Sequence, residues 1–115
     1  MDQTRLEAAF DAAMLDVYQR AKTEAKYNAT QFFRMLHERR GVATARALIN
    51  SARESQGYAG LQLRGRLDLT VEALVVENPR WHPLFTPQEI ERARQRLAQY
   101  GYTLGAPPTS APPRP

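Results

Sequence analysis

Seven apolar residues recur at helical spacing along the first 26 positions: Leu6, Phe10, Met14, Val17, Tyr18, Ala21 and Ala25. Spacings of three and four place them on one stripe of a 3.6-residue repeat, and no strand puts that set on a single face. No glycine or proline interrupts the run. Asp2, Glu7, Asp11 and Asp16 crowd its first half, and Arg20, Lys22 and Lys26 its end, the order that a helix dipole favours. The spacing predicts one long amphipathic helix over about residues 3–26. Such a stripe must be buried against something, either the rest of this chain or another chain.

A second helix is predicted from Asn28, with Asn28 as N-cap, Gln31 closing a capping box, and Tyr27 and Phe32 as a hydrophobic staple. Phe32, Phe33 and Leu36 supply its apolar bulk, and Gly41 is read as its left-handed stop. A third helix over about 43–55 carries Ala45, Leu48, Ile49 and Ala52, and Gly57 is read as its end. Residues 58–65 are read as a short turn that holds Leu61 and Leu63 in the core.

The segment 67–77 fits both periods. Leu67, Leu69, Val71 and Ala73 alternate as in a strand, whereas Val71, Leu74 and Val75 follow helical spacing. A lone strand leaves backbone groups unpaired, so a helix is expected, capped by Asp68 and closed before Pro79. Residues 78–85 (NPRWHPLF) are rigid, and Trp81, Leu84 and Phe85 are expected to fold back as a plug. The last helix has the strongest start in the chain: Thr86 as cap, Pro87 in the first position and Glu89 closing a capping box, with Gly101 as its stop. Five prolines among residues 103–115 predict a disordered tail. The fold expected is all-α: a single small bundle of four to five helices with a Pro/Trp loop plug. It divides into an N-terminal helix (1–27), a helical domain (28–102) and the tail (103–115).

The runs FFRML (32–36), GVATARALI (41–49), GYAGL (57–61), GRLDLTVEALVVENP (65–79) and PLFTPQEIERARQRLAQYGY (83–102) resemble a bacterial helical domain family. The resemblance implies a fold unit over 32–102 in a bacterial setting, with no activity attached to it.

Charge is the main functional signal. The formal net charge is +4, but residues 30–66 hold seven arginines against Glu38 and Glu54, or +5, between two flanks (1–29 and 67–102) at −1 each, with Arg114 adding one in the tail. Arg39, Arg40, Arg46, Asn50, Arg53, Arg64 and Arg66 are the candidate contact residues for nucleic acid or for an acidic protein. Arg46, Asn50 and Arg53 share a helix face and would suit base edges. Helices two and three around Gly41 have the outline of a helix-turn-helix, but that motif wants a small residue where His37 stands and an apolar one where Asn50 stands. Arginine outnumbers lysine 14 to 2, a bias that a GC-rich genome also produces, so some of these residues are read as ordinary solvated helix positions.

Catalytic signals are weak. With no cysteine there is no thiol nucleophile and no Cys-ligated zinc. His37-Glu38 would need a histidine at 41 for a metalloprotease motif, and glycine is there. Asp68 and Glu72, four apart, share a helix face that would suit a divalent ion or an acid/base pair, and an enzyme would gather them in a pocket with His37 or His82. The plainer reading is that Asp68 caps a helix and Glu72 pairs with Arg64 or Arg66. The expectation is therefore a non-catalytic, cytoplasmic binding module with no metal or cofactor and no membrane role. The competing expectation is a structural or assembly domain whose first helix makes homo-oligomers.

Overall fold

Helix α1 (Asp2–Glu24) lies along α2 (Thr30–Ile49) in the computed structural model, which describes residues 2–53 and 55–102. The chain continues through α3 (Gln56–Leu63), a 3₁₀ turn (Leu67–Leu69), α4 (Val71–Glu77), a second 3₁₀ segment (Pro79–Leu84) and α5 (Pro87–Gln99), which packs on α4. There is no strand among the described residues, so the architecture is an all-α bundle. No helix of the described residues is long and apolar enough to cross a membrane. The tail predicted for 103–115 lies outside the described residues.

The stripe of α1 does what its spacing demands. Phe10, Met14, Val17, Ala21 and Ala25 are all buried. Phe10 sits between Trp81 and Phe85, with ring centroids 5.2 and 5.5 Å away, both edge-to-face. The Pro/Trp segment is thus the expected plug, and it closes on α1. The main core joins Phe10 and Met14 to Ala45, Ile49, Tyr58, Val71, Val75 and Leu97, so α1 belongs to the same core as residues 28–102. A smaller cluster of Ala21, Ala25, Leu61 and Leu69 closes the far end of α1.

The start of α5 is as expected. Thr86 Oγ1 accepts from the Glu89 amide, Glu89 Oε1 accepts from the Thr86 amide, and Gly101 takes positive φ just past the helix.

Several other boundaries differ. Asn28 is not the cap of α2: Ala29 is, without a side-chain hydrogen bond, and Asn28 Oδ1 instead accepts from the Tyr18 hydroxyl. Tyr27 and Phe32 do not staple, since each packs on a different cluster. Gly57 lies inside α3, which Ser55 starts by accepting from the Tyr58 amide. Leu63 is 81% exposed rather than core. Residues 67–77 are helical, but in two pieces, and Thr70 rather than Asp68 caps α4 through the Ala73 amide. Arg66 takes both oxygens of Asp68, which leaves that carboxylate no freedom to cap.

The predicted break between the second and third helices is present but falls one residue early: α2 is two helical segments that meet at Arg40 (φ 70°, ψ 177°), not at Gly41. This backbone region is almost confined to glycine, and holding another residue there costs about 1–3 kcal/mol. Asp11 of α1 holds the bend from outside. Its Oδ1 accepts from the Gly41 amide at 2.7 Å, and its Oδ2 accepts from Arg40 Nε at 3.0 Å. Gly41 is required for approach, not for a left-handed stop: a Cβ there would stand 2.8 Å from Asp11 Oδ1 and 3.2 Å from Asp11 Cα. One turn on, Thr44 is fully buried with its hydroxyl unpartnered. In a regular helix that hydroxyl would bond the carbonyl four residues back, which here belongs to the bent Arg40. Because Arg40 carries the strain, Arg40→Gly is expected to be about 1 kcal/mol more stable than Arg40→Ala in urea unfolding. That reverses the ordinary helix order, in which alanine leads by about 1 kcal/mol. Equal stabilities, or alanine ahead, would place Arg40 in unstrained backbone.

Candidate functional site

The seven predicted contact residues do not form one patch. Arg40 is paired with Asp11 and Arg66 with Glu24, both on α1. Those two acids are 13 residues apart, ~20 Å along a helix rising 1.5 Å per residue. The bundle therefore splits the basic third into two regions.

In the first region, Arg39, Arg40 and Arg46 line one open groove of about 500 Å³ between α1 and the second half of α2, with Glu7, Asp11, Val42 and Ala43. Arg46 Nε donates to Glu89 Oε2 at 3.0 Å, and Asn50 Nδ2 donates to the same oxygen at 2.8 Å. Glu89 thus spends one oxygen on its own capping box and the other on α2. Burial opposes its ionisation, but the bonds from the Thr86 amide, Asn50 and Arg46 outweigh it and hold its carboxyl below the ordinary range. Two of the three proposed base readers are therefore already engaged by a carboxylate. Arg53, the third, is exposed and pairs with no acid among the described residues, as is Arg39.

In the second region, Arg66 is half-buried and forks between Asp68 and Glu24. Hydrogen bonds from Arg20 and then Arg66 pull the exposed Glu24 carboxyl from 4.5 down to about 2. A depressed carboxyl stabilises the fold above its unfolded value, and that contribution fades as pH falls from about 4.5 towards 2. Arg64 lies over the Tyr27 ring at 4.9 Å and donates to the Gly60 carbonyl.

Four acids from outside the basic third (Asp11, Glu24, Asp68 and Glu89) thus fold onto it through three of its arginines. Much of the +5 read from the sequence is neutralised within the molecule.

Glu72 does not pair with Arg64 or Arg66. It is buried against Arg96 of α5 at 2.9 Å. Arg96 also donates to the carbonyls of Leu48 and Ser51, at 3.1 and 2.7 Å, and Arg92 donates to that of Asn50. Two arginines of α5 therefore cap the open C-terminus of α2. Sequence reasoning missed this, because Arg96 looks like any other residue of an Arg-rich helix. Its position between Ala93 and Leu97 on the buried side of α5 was the available signal.

The histidines stand apart from these acids. His82 bonds the Val75 carbonyl at 3.0 Å through a ring nitrogen, and His37 lies against Phe33. Asp68 and Glu72 are held by different arginines. Among the described residues no three metal-capable side chains are grouped.

No family model, curated protein or solved structure matches this chain.

A second groove, of about 390 Å³, adjoins the first and shares Asp11 and Arg40 with it. Leu15, Phe33, Leu36 and His37 complete its lining. Leu15 and Phe33 are 38% and 42% exposed, two of the four large apolar side chains left open to solvent among the described residues.

Proposed function

We propose that this chain is a small, non-catalytic binding module that meets an acidic partner through the arginines of α2. The observation that carries this reading is the convergence of Arg39, Arg40 and Arg46 on one open groove. Arg40 and Arg46 are held in place by Asp11 and Glu89, and Arg39 has an exposed head free to meet an incoming carboxylate.

An acidic protein fits better than nucleic acid. Duplex DNA carries one charge per ~1.7 Å and needs several uncompensated cations to displace its counterions. Here Glu7, Asp11 and Glu89 lie among the three arginines. A protein carboxylate needs only one or two cations and tolerates acids nearby.

The test is a salt titration of binding to poly-glutamate and to duplex DNA. The chain is expected to bind poly-glutamate with an affinity that falls as salt rises. Arg39→Glu, which breaks no ion pair, is expected to weaken that binding at least ~5-fold, or about 1 kcal/mol. Steeper and tighter binding to DNA would make nucleic acid the partner. No salt-dependent binding to either polyanion would end the reading.

A further inference from the structure

The groove of Leu15, Phe33 and Leu36 has a fixed shape. The Phe33 ring stacks on Tyr18 at a centroid distance of 4.8 Å and faces His37 at 6.4 Å. Phe33, Leu36, His37 and Arg40 follow one another at i, i+3, i+4 and i+7, so they form one stripe of α2 running up to the bend. The apolar wall thus ends at a cationic rim, where the first groove begins and Arg39 stands. Asp11, the acid common to both grooves, is already committed to the Gly41 amide and to Arg40.

We propose that this groove seats an amphipathic helical segment of an acidic protein partner, with an aromatic or leucine anchor against Leu15 and Phe33 and a carboxylate about two turns further on against Arg39. The inference rests on the acidic-partner reading above and gives it a shape. Charge complementarity selects the occupant. The apolar floor excludes a purely polar chain, and the rim beyond it is arginine. The spacing follows from helix geometry, since six residues of α2 from Phe33 to Arg39 rise ~9 Å, close to two turns of a helix laid alongside. A helix is the fitting element because the described residues hold no strand, and so offer no sheet edge for an extended peptide to join.

The experiment is a display selection of random peptides of about 16 residues, ~24 Å as helix, with the full chain as bait. The best peptides are then synthesised and titrated. Enriched sequences are expected to carry an aromatic residue or leucine with Asp or Glu about seven positions away. Their affinity is expected to fall at least ~10-fold with Phe33→Ala and again with Arg39→Glu. Phe33 is partly exposed, so the variant's helical signal and melting temperature should stay near those of the parent, which separates lost binding from lost folding.

Failure to enrich any peptide, or enriched peptides without acids, would overturn the proposal. Loss with Arg39→Glu but not with Phe33→Ala keeps the acidic-partner reading and removes the groove. Loss with Phe33→Ala but not with Arg39→Glu removes both, since the partner is then not held by charge. A dimer in solution that Phe33→Ala disperses makes a second copy of this chain the occupant. Duplex DNA that competes with the peptides and is itself weakened by Phe33→Ala likewise overturns the proposal.

Discussion

Arg96→Ala should destabilise this protein by about 3–5 kcal/mol, as expected when one member of a buried ion pair is removed and the other is left without its counter-charge. The guanidinium neutralises buried Glu72 and donates to two carbonyls at the end of α2, so its removal takes the counter-charge from a buried carboxylate and a donor from each carbonyl. Domains of this size are stable by only about 5–15 kcal/mol in total. The variant should therefore unfold at markedly lower urea, or not fold at all. A second variant keeps the outcome interpretable. Glu72→Leu with Arg96→Met removes both charges and refills their volume, which in buried pairs is often close to neutral. Here the Leu48 and Ser51 carbonyls would still miss the bonds that Arg96 donates, so recovery should be partial and the double variant should lie between parent and Arg96→Ala. If Arg96→Ala costs less than about 1 kcal/mol by urea denaturation, the pair is solvated and the described geometry does not hold it.

Phe10→Ala should cost about 3–5 kcal/mol, the range for truncating a fully buried phenylalanine. Phe10 has no exposed surface and is the point where α1 meets the Trp81–Phe85 plug. Each edge-to-face pair adds about 0.5–1.5 kcal/mol beyond simple burial. Trp81 is the only tryptophan in the chain, so fluorescence reads this contact directly. The variant should show a red-shifted native emission together with its lowered urea midpoint. An unchanged spectrum and a loss below about 1 kcal/mol would mean that α1 is not seated on the plug.

These two variants also mark what the sequence made legible. The stripe of α1 and the start of α5 could be read in advance, because each rests on contacts within a few residues or on a periodicity that the helix itself imposes, and the plug because Trp81, Leu84 and Phe85 are too apolar to be left in water. The end of the second predicted helix could be read only in part. The helix does break beside Gly41 as read, yet the residue that takes the positive φ is Arg40, where Asp11, thirty positions before Gly41, offers a carboxylate to the Gly41 amide. Asn28 and Asp68 had the chemistry of caps, but Tyr18 and Arg66 claimed them first. A polar side chain near a helix end has several acceptable partners, and only packing decides which one arrives.

The same holds for the candidate site. By itself the sequence determined the fold class, the buried stripes and the excess of arginine in the middle third, since each is a property of composition or of spacing along one helix. The tertiary structure decided what those arginines do. It brought Asp11, Glu24, Asp68 and Glu89 onto three of them and left Arg39 exposed at the rim of a groove. The reason is physical. Charge counted along a chain ignores distance, whereas Coulomb attraction falls with separation and is screened within ~10 Å in ordinary salt, so which charges remain available is settled only when the helices are packed.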